Sequence, residues 1–448
     1  MSQPLADLTQ SLLAAAKAAG ADGADAMAVD GTSLSIDVLA GKLEHAERAE
    51  GIDIGLRVIL GKRQACVSAS DTGADTITTM AQRAVAMARE APEDPNIGLA
   101  DTDQLAQGWD LDALGMADPT NEPTPAALEE DAKRAEAAAL AVDGVATVQA
   151  ASGGYGRHRI HLATSNGFSG GYTRTHRALH CVAITGTGTQ MERDYYAEQR
   201  IFQSDLPSPE DIGRLAGERT IARAGARKPK TGAFPVLFDE RVASSLIGHL
   251  MSAINGGSIV RGSSWARDLL GKQVLPDTLS IIEDPHRPRV TSSRPFDGEG
   301  LATTKRSVVE NGVLTGWTLD LSTARQLGMQ STANASRGTS APPSPSAGNI
   351  ALTQGSASRD DLIRDMGTGL LVTSMIGSSI NATTGDYSRG ASGFWVENGE
   401  ITYPVNECTI AGNLRDMLMT LTPANDGRAH LSRVVPSLLV QGLTLAGE

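Results

Sequence analysis

The clearest signal in this chain is a switch between two hydrophobic periodicities. Apolar residues alternate with polar ones from Ile52 through Ile54 and Leu56, and this period of two predicts a half-buried antiparallel strand. In DTITTMAQRAVAMAREA, residues 75–91, apolar positions recur at helical spacing instead, and Pro92 ends the predicted helix. The first part of the chain is therefore expected to combine helices with an antiparallel meander.

The same order of elements then occurs a second time. A predicted helix at residues 125–142 leads into alternating strands, and a further helix at 208–225 closes the unit. We therefore predict an α+β fold with helix/antiparallel-meander/helix units followed by a β-rich C-terminal domain. The predicted divisions are an N-terminal unit (1–92), an acidic linker (93–123), a middle unit (124–230) and the C-terminal domain (231–448).

Two hairpins are expected in the C-terminal part. Both SVVENGVLTGW and FWVENGEITYPV carry an Asn-Gly pair, at Asn311-Gly312 and at Asn398-Gly399. Asn-Gly accepts the two positive φ angles of a type I′ turn, whose twist matches that of paired strands. We predict a tight turn at each position.

Charge and cysteine content limit the classes of partner. The 52 acidic residues outnumber the 39 basic ones, and a net charge of −13 repels nucleic acid and anionic membrane surfaces. Cys66, Cys181 and Cys408 have no metal-ligand spacing and cannot form a disulfide framework. With no basic leader region at the N-terminus and no apolar run of membrane-spanning length, a cytoplasmic location is expected.

Histidine pairs are the first candidates for a metal site. His176 and His180 lie in a segment whose alternating, β-branched residues predict a strand, so they would be about 13 Å apart and unable to share an ion. The odd spacing of His158 and His161 places them on opposite faces of a strand. Neither pair is expected to bind metal.

The turn RPFDGEG offers two carboxylates, Asp297 and Glu299. On a strand they would share a face, as a general acid and a general base require. Their flanking glycines favour another interpretation, a turn that faces solvent.

A helix predicted at residues 239–255 follows the strand-like AFPVLFDE. Leu246, Leu250 and Ile254 form its buried stripe, and His249 falls about 100° from the centre of that stripe, at its flank. A single flanking histidine is typical of an interface or capping residue, and does not by itself indicate a metal site.

Several long segments together resemble one family. The run GHLMSAINGGSIVRGSSWARDLLGKQVLPDTLSI is followed by RPFDGEG, by GDYSRGASGFWVENGEITYPV and by TIAGNL. These segments resemble the PmbA (TldE) branch of the TldD/PmbA family, also called the modulator of DNA gyrase family. The resemblance implies a subunit of a two-protein zinc metallopeptidase that trims small or unfolded peptides.

The resemblance also implies where a metal would bind in the catalytic branch. That branch carries an HExxxH helix, and a cysteine near the C-terminus is its third ligand. Gly248, His249 and Ala253 occupy the positions of the first histidine, the glutamate and the second histidine, and His430 lies near the position of the cysteine. Cys408 lies well upstream, where the family has no ligand. We therefore expect no zinc in this chain, and expect it in the partner subunit.

The preferred hypothesis is a non-catalytic subunit that pairs with a TldD-type partner, with a homodimer as the alternative for the isolated chain. Glycine-rich strands such as SGFWV are expected to hold an extended peptide by main-chain hydrogen bonds. The residues expected in a peptide groove or subunit interface are His249, Asp297, Asp386, Tyr387 and Arg389.

Two alternatives stay open at this stage. The first is an autonomous hydrolase, with His249, His430 and Asp297 brought together by folding. The second is a peptide-binding scaffold without enzymatic activity.

Overall fold

The computed structural model describes residues 4–448, so residues 1–3 of the predicted N-terminal unit lie outside the described residues. A six-stranded antiparallel sheet in the order β3-β2-β1-β4-β5-β6 forms the first half. Its strands are β1 (Gly23–Leu39), β2 (Lys42–Leu60), β3 (Arg63–Ala69), β4 (Val145–Thr164), β5 (Ser169–Thr185) and β6 (Glu192–Arg200). The two predicted units therefore share one sheet, because β1 pairs with β4 along most of its length.

Helices cover one face of this sheet. They are α1 (Leu5–Ala18), α2 (Ala74–Glu90), α4 (Pro125–Leu140) and α5 (Pro209–Ile221), with the short α3 (Leu111–Leu114) between them. Leu8 and Leu12 of α1 pack against Ile54 and Leu56 of β2, and all four side chains are fully buried. The strand predicted around Ile54 is confirmed and its apolar side faces the helices, but it is not half-buried, because Gly55 and Arg57 on the other face are covered by the C-terminal region.

The acidic segment 93–123 packs against the rest of the protein. Ile97, Leu114 and Met116 are buried, and Leu105 forms a β-bridge with Leu301 of the C-terminal region. These contacts place the segment between the first sheet and the C-terminal region.

A closed ring of strands organises the C-terminal region. It contains β7 (Gly232–Phe238), β14 (Gly369–Ile380), β15 (Asp386–Glu397), β16 (Glu400–Asn413) and β19 (Leu438–Ala446). These strands pair in the order β16-β15-β14-β7-β19, and pairing of β16 with β19 closes the ring. Val236 and Phe238 point to one apolar cluster while Leu237 points to another, so both faces of β7 are buried.

Shorter elements complete this region. The helices are α6 (Glu240–Ala253), α7 (Gly256–Val260), α8 (Leu321–Gln326), α9 (Arg359–Met366) and α10 (Leu414–Met419). The remaining strands are β8 (Ile281–Glu283), β9 (Arg306–Glu310), β10 (Val313–Leu314), β11 (Ala335–Ser336), β12 (Ser344–Pro345), β13 (Ile350–Leu352), β17 (Thr422–Pro423) and β18 (Arg433–Val434). Together they surround the ring and bring α6 close to β18.

Both predicted hairpin turns are present. Asn311 and Gly312 have φ angles of 48° and 81°, and Asn398 and Gly399 have φ angles of 54° and 78°. Positive φ at both central residues is the signature of the type I′ turn. Within residues 4–448 no helix is both long enough and apolar enough to cross a bilayer.

Candidate functional site

Helix α6 contains the positions that correspond to a metal-binding motif. Its N-cap is Asp239, whose carboxylate accepts a hydrogen bond from the Arg241 amide at 3.2 Å. Leu246, Leu250 and Ile254 are fully buried, which confirms the stripe predicted for this helix. The predicted span of 239–255 agrees with the observed helix within two residues at its C-terminal end.

The three motif positions on α6 point to different surroundings. Ala253 is 6% exposed and lies in the main apolar cluster of the C-terminal region. The ring of His249 is edge-on to that of Tyr387, with the centroids 5.8 Å apart. Burial lowers the pKa of His249, and the nearby Arg389 guanidinium lowers it further, so the imidazole is neutral at pH 7.

A guanidinium lies where the first motif position would project its side chain. A Cβ placed on Gly248 would be 3.0 Å from Nη1 of Arg433, and no other heavy atom outside the helix backbone lies within 4 Å of it. Arg433 comes from β18, and its guanidinium lies against the backbone of α6 because residue 248 has no side chain. Sequence reasoning missed Arg433, since nothing in the motif indicates what covers this position.

His430 lies beside the carboxylate of Glu198. Its Nε2 is 3.4 Å from Glu198 of β6, and Arg428 donates to the other oxygen of Glu198 at 2.9 Å. Burial alone would raise the pKa of Glu198, but its contacts with His430, Arg200 and Tyr196 lower it to about 2. His430 therefore belongs to an ionic cluster at the edge of the first sheet.

A cavity of about 690 Å³ separates this edge from the C-terminal region. Strands β5 and β6 form one wall, Ser244 of α6 lies on another, and the segment 428–433 forms a third. The cavity thus lies beside the helix that carries the motif positions, and Arg433 lines it directly.

The acidic turn is buried, so the prediction of a solvent-facing turn is wrong. Asp297 is 2% exposed, and its carboxylate accepts hydrogen bonds from the amides of Glu299, Leu301 and Ala335 at 2.9–3.0 Å. Burial raises the pKa of Asp297 despite these bonds. A carboxylate engaged by three amides holds a loop together and is not free to act as a general acid or base.

Glu299 is buried in the same turn. It is 6% exposed, and its carboxylate accepts a hydrogen bond from the Leu321 amide at 2.9 Å. Burial, followed by the neighbouring carboxylates of Asp297 and Asp320, raises the pKa of Glu299 to about 8. Glu299 is therefore mostly protonated at pH 7.

An ionic cluster that sequence reasoning did not predict joins the two halves of the protein beside this turn. Arg57 of β2 donates to Asp25 of β1 at 2.7 Å, and Arg337 from the C-terminal region forms an ion pair with the same carboxylate. These two arginines lower the pKa of Asp25 against the opposing effect of burial. Asp25 and Arg337 are 312 positions apart, so no local pattern could indicate their contact.

The residues of GDYSRG have separate surroundings. Tyr387, predicted for a peptide groove or subunit interface, is 2% exposed, and its hydroxyl lies 3.4 Å from Sδ of Met375. Asp386 is exposed and accepts from the Thr384 hydroxyl at 2.6 Å, which lowers the pKa of Asp386. Arg389 donates through Nε to the Gly377 carbonyl at 2.8 Å.

The strand SGFWV has no open edge for a peptide. Gly393 of β15 is opposite Val372 of β14 on one side and Val405 of β16 on the other. The prediction that this strand holds a substrate by main-chain hydrogen bonds is therefore wrong. The ends of the first sheet, β3 and β6, each have only one neighbouring strand in that sheet.

Four histidines of the first sheet lie on β4 and β5. His176 and His180 both lie on β5, as predicted, and His161 contacts the Thr9 hydroxyl of α1 at 2.9 Å. His158 stacks on His176 with the ring centroids 6.3 Å apart, a cross-strand contact that spacing along one strand could not reveal. Burial, and to a smaller extent His158, lower the pKa of His176.

The residues near α6 do not fit a zinc ion. Zinc in proteins takes three or four ligands from cysteine, histidine and carboxylate side chains. His249, His430 and Asp297 contact different partners, and residues 4–448 contain no group of three such side chains arranged to hold a metal. The thiol of Cys408 donates to the Ala391 carbonyl at 3.2 Å, and burial raises its pKa to about 11.

Solved structures of other proteins share this fold. A Bacteroides thetaiotaomicron protein, described as a candidate modulator of DNA gyrase, superposes with a TM-score of 0.91 at 27% identity, covering 99% of this chain and 98% of the other. TldE from Thermococcus kodakarensis superposes with a TM-score of 0.86 at 19% identity, covering 98% of this chain and all of the other. The second similarity shows the fold alone.

Sequence comparisons cover nearly the whole chain. Metalloprotease PmbA of Escherichia coli O157:H7 is 38% identical over 431 residues, 95% of this chain and 93% of the relative. A PmbA homologue from Haemophilus influenzae is 37% identical over 93% of this chain and 90% of its own length. Models of the first, central and C-terminal domains of the PmbA/TldA metallopeptidases match residues 24–88, 118–224 and 231–447. The chain therefore belongs to the PmbA/TldD metallopeptidase family.

Proposed function

We propose that this chain is a non-catalytic subunit of a peptidase assembly, and that it pairs with a TldD-type subunit which holds the zinc ion. The observation that carries the proposal is the contact between Gly248 and Arg433, 3.0 Å from the Cβ position to Nη1. A permanently charged guanidinium lies where the motif would place its first neutral imidazole ligand, and its charge opposes binding of a divalent cation.

The other motif positions support the same proposal. A histidine at position 253 would have to enter the apolar cluster that now contains Ala253. At position 249, a neutral imidazole packed against Tyr387 takes the place of the glutamate that removes a proton from zinc-bound water in the catalytic branch. In this proposal the helix keeps a packing role in the subunit, and the metal chemistry belongs to the partner.

The cavity between β6, α6 and the segment 428–433 is the proposed place for peptide substrates on this subunit. Its volume of about 690 Å³ falls within the range usual for ligand sites, about 300–1,000 Å³. It lies beside the motif helix, which is where a substrate would pass if the partner's active site faces this surface. Extended or unfolded peptides are the proposed substrates, because a cavity of this size has room for an extended chain but not for a folded domain.

Coexpression with a TldD-type subunit from the same genome tests the proposal. Each subunit is purified separately and as the complex, and cleavage of an unfolded peptide is measured for all three preparations. The proposal predicts cleavage by the complex, and none by this chain alone even after incubation with zinc. Cleavage by the isolated, zinc-loaded chain would contradict it.

A further inference from the structure

The segment 428–433 presents three basic side chains to the cavity from a fixed backbone. Arg287 donates through Nη2 to the Leu431 carbonyl at 3.0 Å and also to the Ala429 carbonyl. Residue 433 begins β18, which pairs with β13. The exposed side chain of Arg433 therefore extends from a backbone position that is fixed before any ligand arrives.

Two of these three groups already face carboxylates. Arg428 donates to Glu198 at 2.9 Å, and its Nε is 2.8 Å from the carboxylate of Glu240. His430 lies 3.4 Å from the second oxygen of Glu198. The carboxylates on this wall are thus engaged by Arg428 and His430, and are not available to Arg433.

Arg433 is the remaining cation of the cavity. Its side chain has no ion pair or hydrogen bond to any side chain within residues 4–448, and its Nη1 lies against Gly248 of α6. The hydroxyl-bearing residues Ser244 and Ser432 line the same cavity. The missing side chain at Gly248 provides the space that this guanidinium occupies. The position of Arg433 therefore depends on the glycine at residue 248.

We propose that Arg433 makes this cavity a binding site for a carboxylate, specifically the C-terminal carboxylate of a peptide. A guanidinium pairs with a carboxylate through two parallel N–H···O hydrogen bonds, and its planar fork gives both strength and orientation. The inference rests on the proposed function in one respect, that this subunit handles peptides.

The charges around the site favour a monoanion over a phosphate dianion. Arg428 already faces Glu198 and Glu240, so Arg433 is the guanidinium left for a ligand, and the second charge of a phosphate dianion would have no counter-ion there. One uncompensated guanidinium matches one carboxylate. The cavity, of about 690 Å³, is much larger than a carboxylate group. The residues that precede the C-terminus of the peptide would occupy the remaining space.

Calorimetric titration of the purified chain with two matched peptides tests the inference. Tetra-alanine with a free carboxylate is compared with tetra-alanine carrying a C-terminal amide, and inorganic phosphate is titrated separately. The free acid is expected to bind at least about tenfold more tightly than the amide, a difference of about 1.4 kcal/mol. Phosphate is expected to bind more weakly than the free acid.

Substitutions test whether Arg433 causes the preference for the free acid. Arg433→Gln should abolish the preference for the free acid, and Arg433→Lys should retain part of it because the charge remains. Arg83→Gln is the matched control, since Arg83 is an exposed residue of α2 outside the cavity. Unchanged far-ultraviolet circular dichroism confirms that each variant is folded.

Equal affinity for the acid and the amide, no binding of either, tighter binding of phosphate, or a preference that survives Arg433→Gln would each overturn the inference. The outcome is separable from that of the proposed function. Cleavage by the assembled complex is measured independently, and the isolated chain can prefer the free acid even if the complex cleaves nothing.

Discussion

Asp25 on β1 and Arg337 in the C-terminal region form an ion pair in which the side chains are 2% and 1% exposed. Arg57 of β2 contacts the same carboxylate, at 2.7 Å. One carboxylate therefore holds two buried guanidinium groups at the junction between the first sheet and the C-terminal region.

Asp25→Asn should destabilise the protein strongly. Removal of the single negative charge leaves Arg57 and Arg337 buried without a counter-ion, and breaking a buried pair in this way costs about 3–5 kcal/mol. Chemical denaturation measures the change in the free energy of unfolding. Asp30→Asn is the control, because its partner Arg159 is 44% exposed and such a pair contributes less than about 1 kcal/mol. Similar decreases in the free energy of unfolding for Asp25→Asn and Asp30→Asn would contradict the role given to Asp25 at the junction.

Glu299 should make the protein less stable as pH rises. Its folded-state pKa of about 8 lies above the ordinary value of 4.5, so folding favours the protonated form. The stability contributed by protonated Glu299 is fully present below pH 4.5 and is lost as pH rises toward 8. Glu299→Gln keeps an oxygen that can accept from the Leu321 amide, so it should flatten this slope and be more stable than the natural chain at pH 9.

Urea unfolding between pH 5 and 9 measures the effect of Glu299. Glu90→Gln, at an exposed position of α2, is the matched control for the substitution itself. An unchanged pH slope in Glu299→Gln would show that the acidic turn does not retain a proton in the folded state.

Restoring the second motif histidine should damage the fold. Ala253 is in the apolar cluster, and Ala253→His would bury a larger, polar side chain there, at a cost of about 1–3 kcal/mol. Gly248→Ala should be neutral or stabilising by up to about 1 kcal/mol, since alanine is the better helix former and only the end of the flexible Arg433 side chain must move. The melting temperatures of the two variants measure these effects, and only Ala253→His should lower the melting temperature. A stable Ala253→His protein would contradict the assignment of residue 253 to the core.

His249→Phe should preserve both stability and the activity of the complex. Nε2 of His249 is buried without a hydrogen-bond partner, so phenylalanine removes an unsatisfied polar atom and keeps the edge-on contact with Tyr387. The free energy of unfolding and the kcat/KM of the assembled complex are the measurements. Removal of a general base would lower kcat/KM by at least about a hundredfold, and that result would show that His249 takes part in catalysis.

Local chemistry made part of this fold predictable. The Asn398-Gly399 turn depends on the φ angles of two neighbouring residues, and the buried stripe of α6 depends on spacing along one helix. The acidic turn was not predictable in this way. Asp297 and Glu299 are buried because residues from distant segments, including Ala335 and Leu321, donate their amides to them.

In the candidate site, too, some features were predictable from the sequence and others depend on tertiary contacts. The motif positions at Gly248 and Ala253 follow from the resemblance to the family, and α6 lies where the sequence places it. What fills those positions depends on tertiary packing, because Arg433 reaches Gly248 from a strand 185 residues further along the chain (433 − 248). Sequence alone could indicate that ligands are missing, but not that a guanidinium takes the place of one of them.

Zinc content, measured by elemental analysis, tests the central proposal most directly. The chain is purified alone and in complex with the TldD-type subunit, each after dialysis against excess zinc and removal of unbound metal. The account predicts substoichiometric zinc in the isolated chain and about one zinc per complex, held by the partner's ligand set. Stoichiometric zinc in the isolated chain, lost on His249→Phe or His430→Gln, would contradict it.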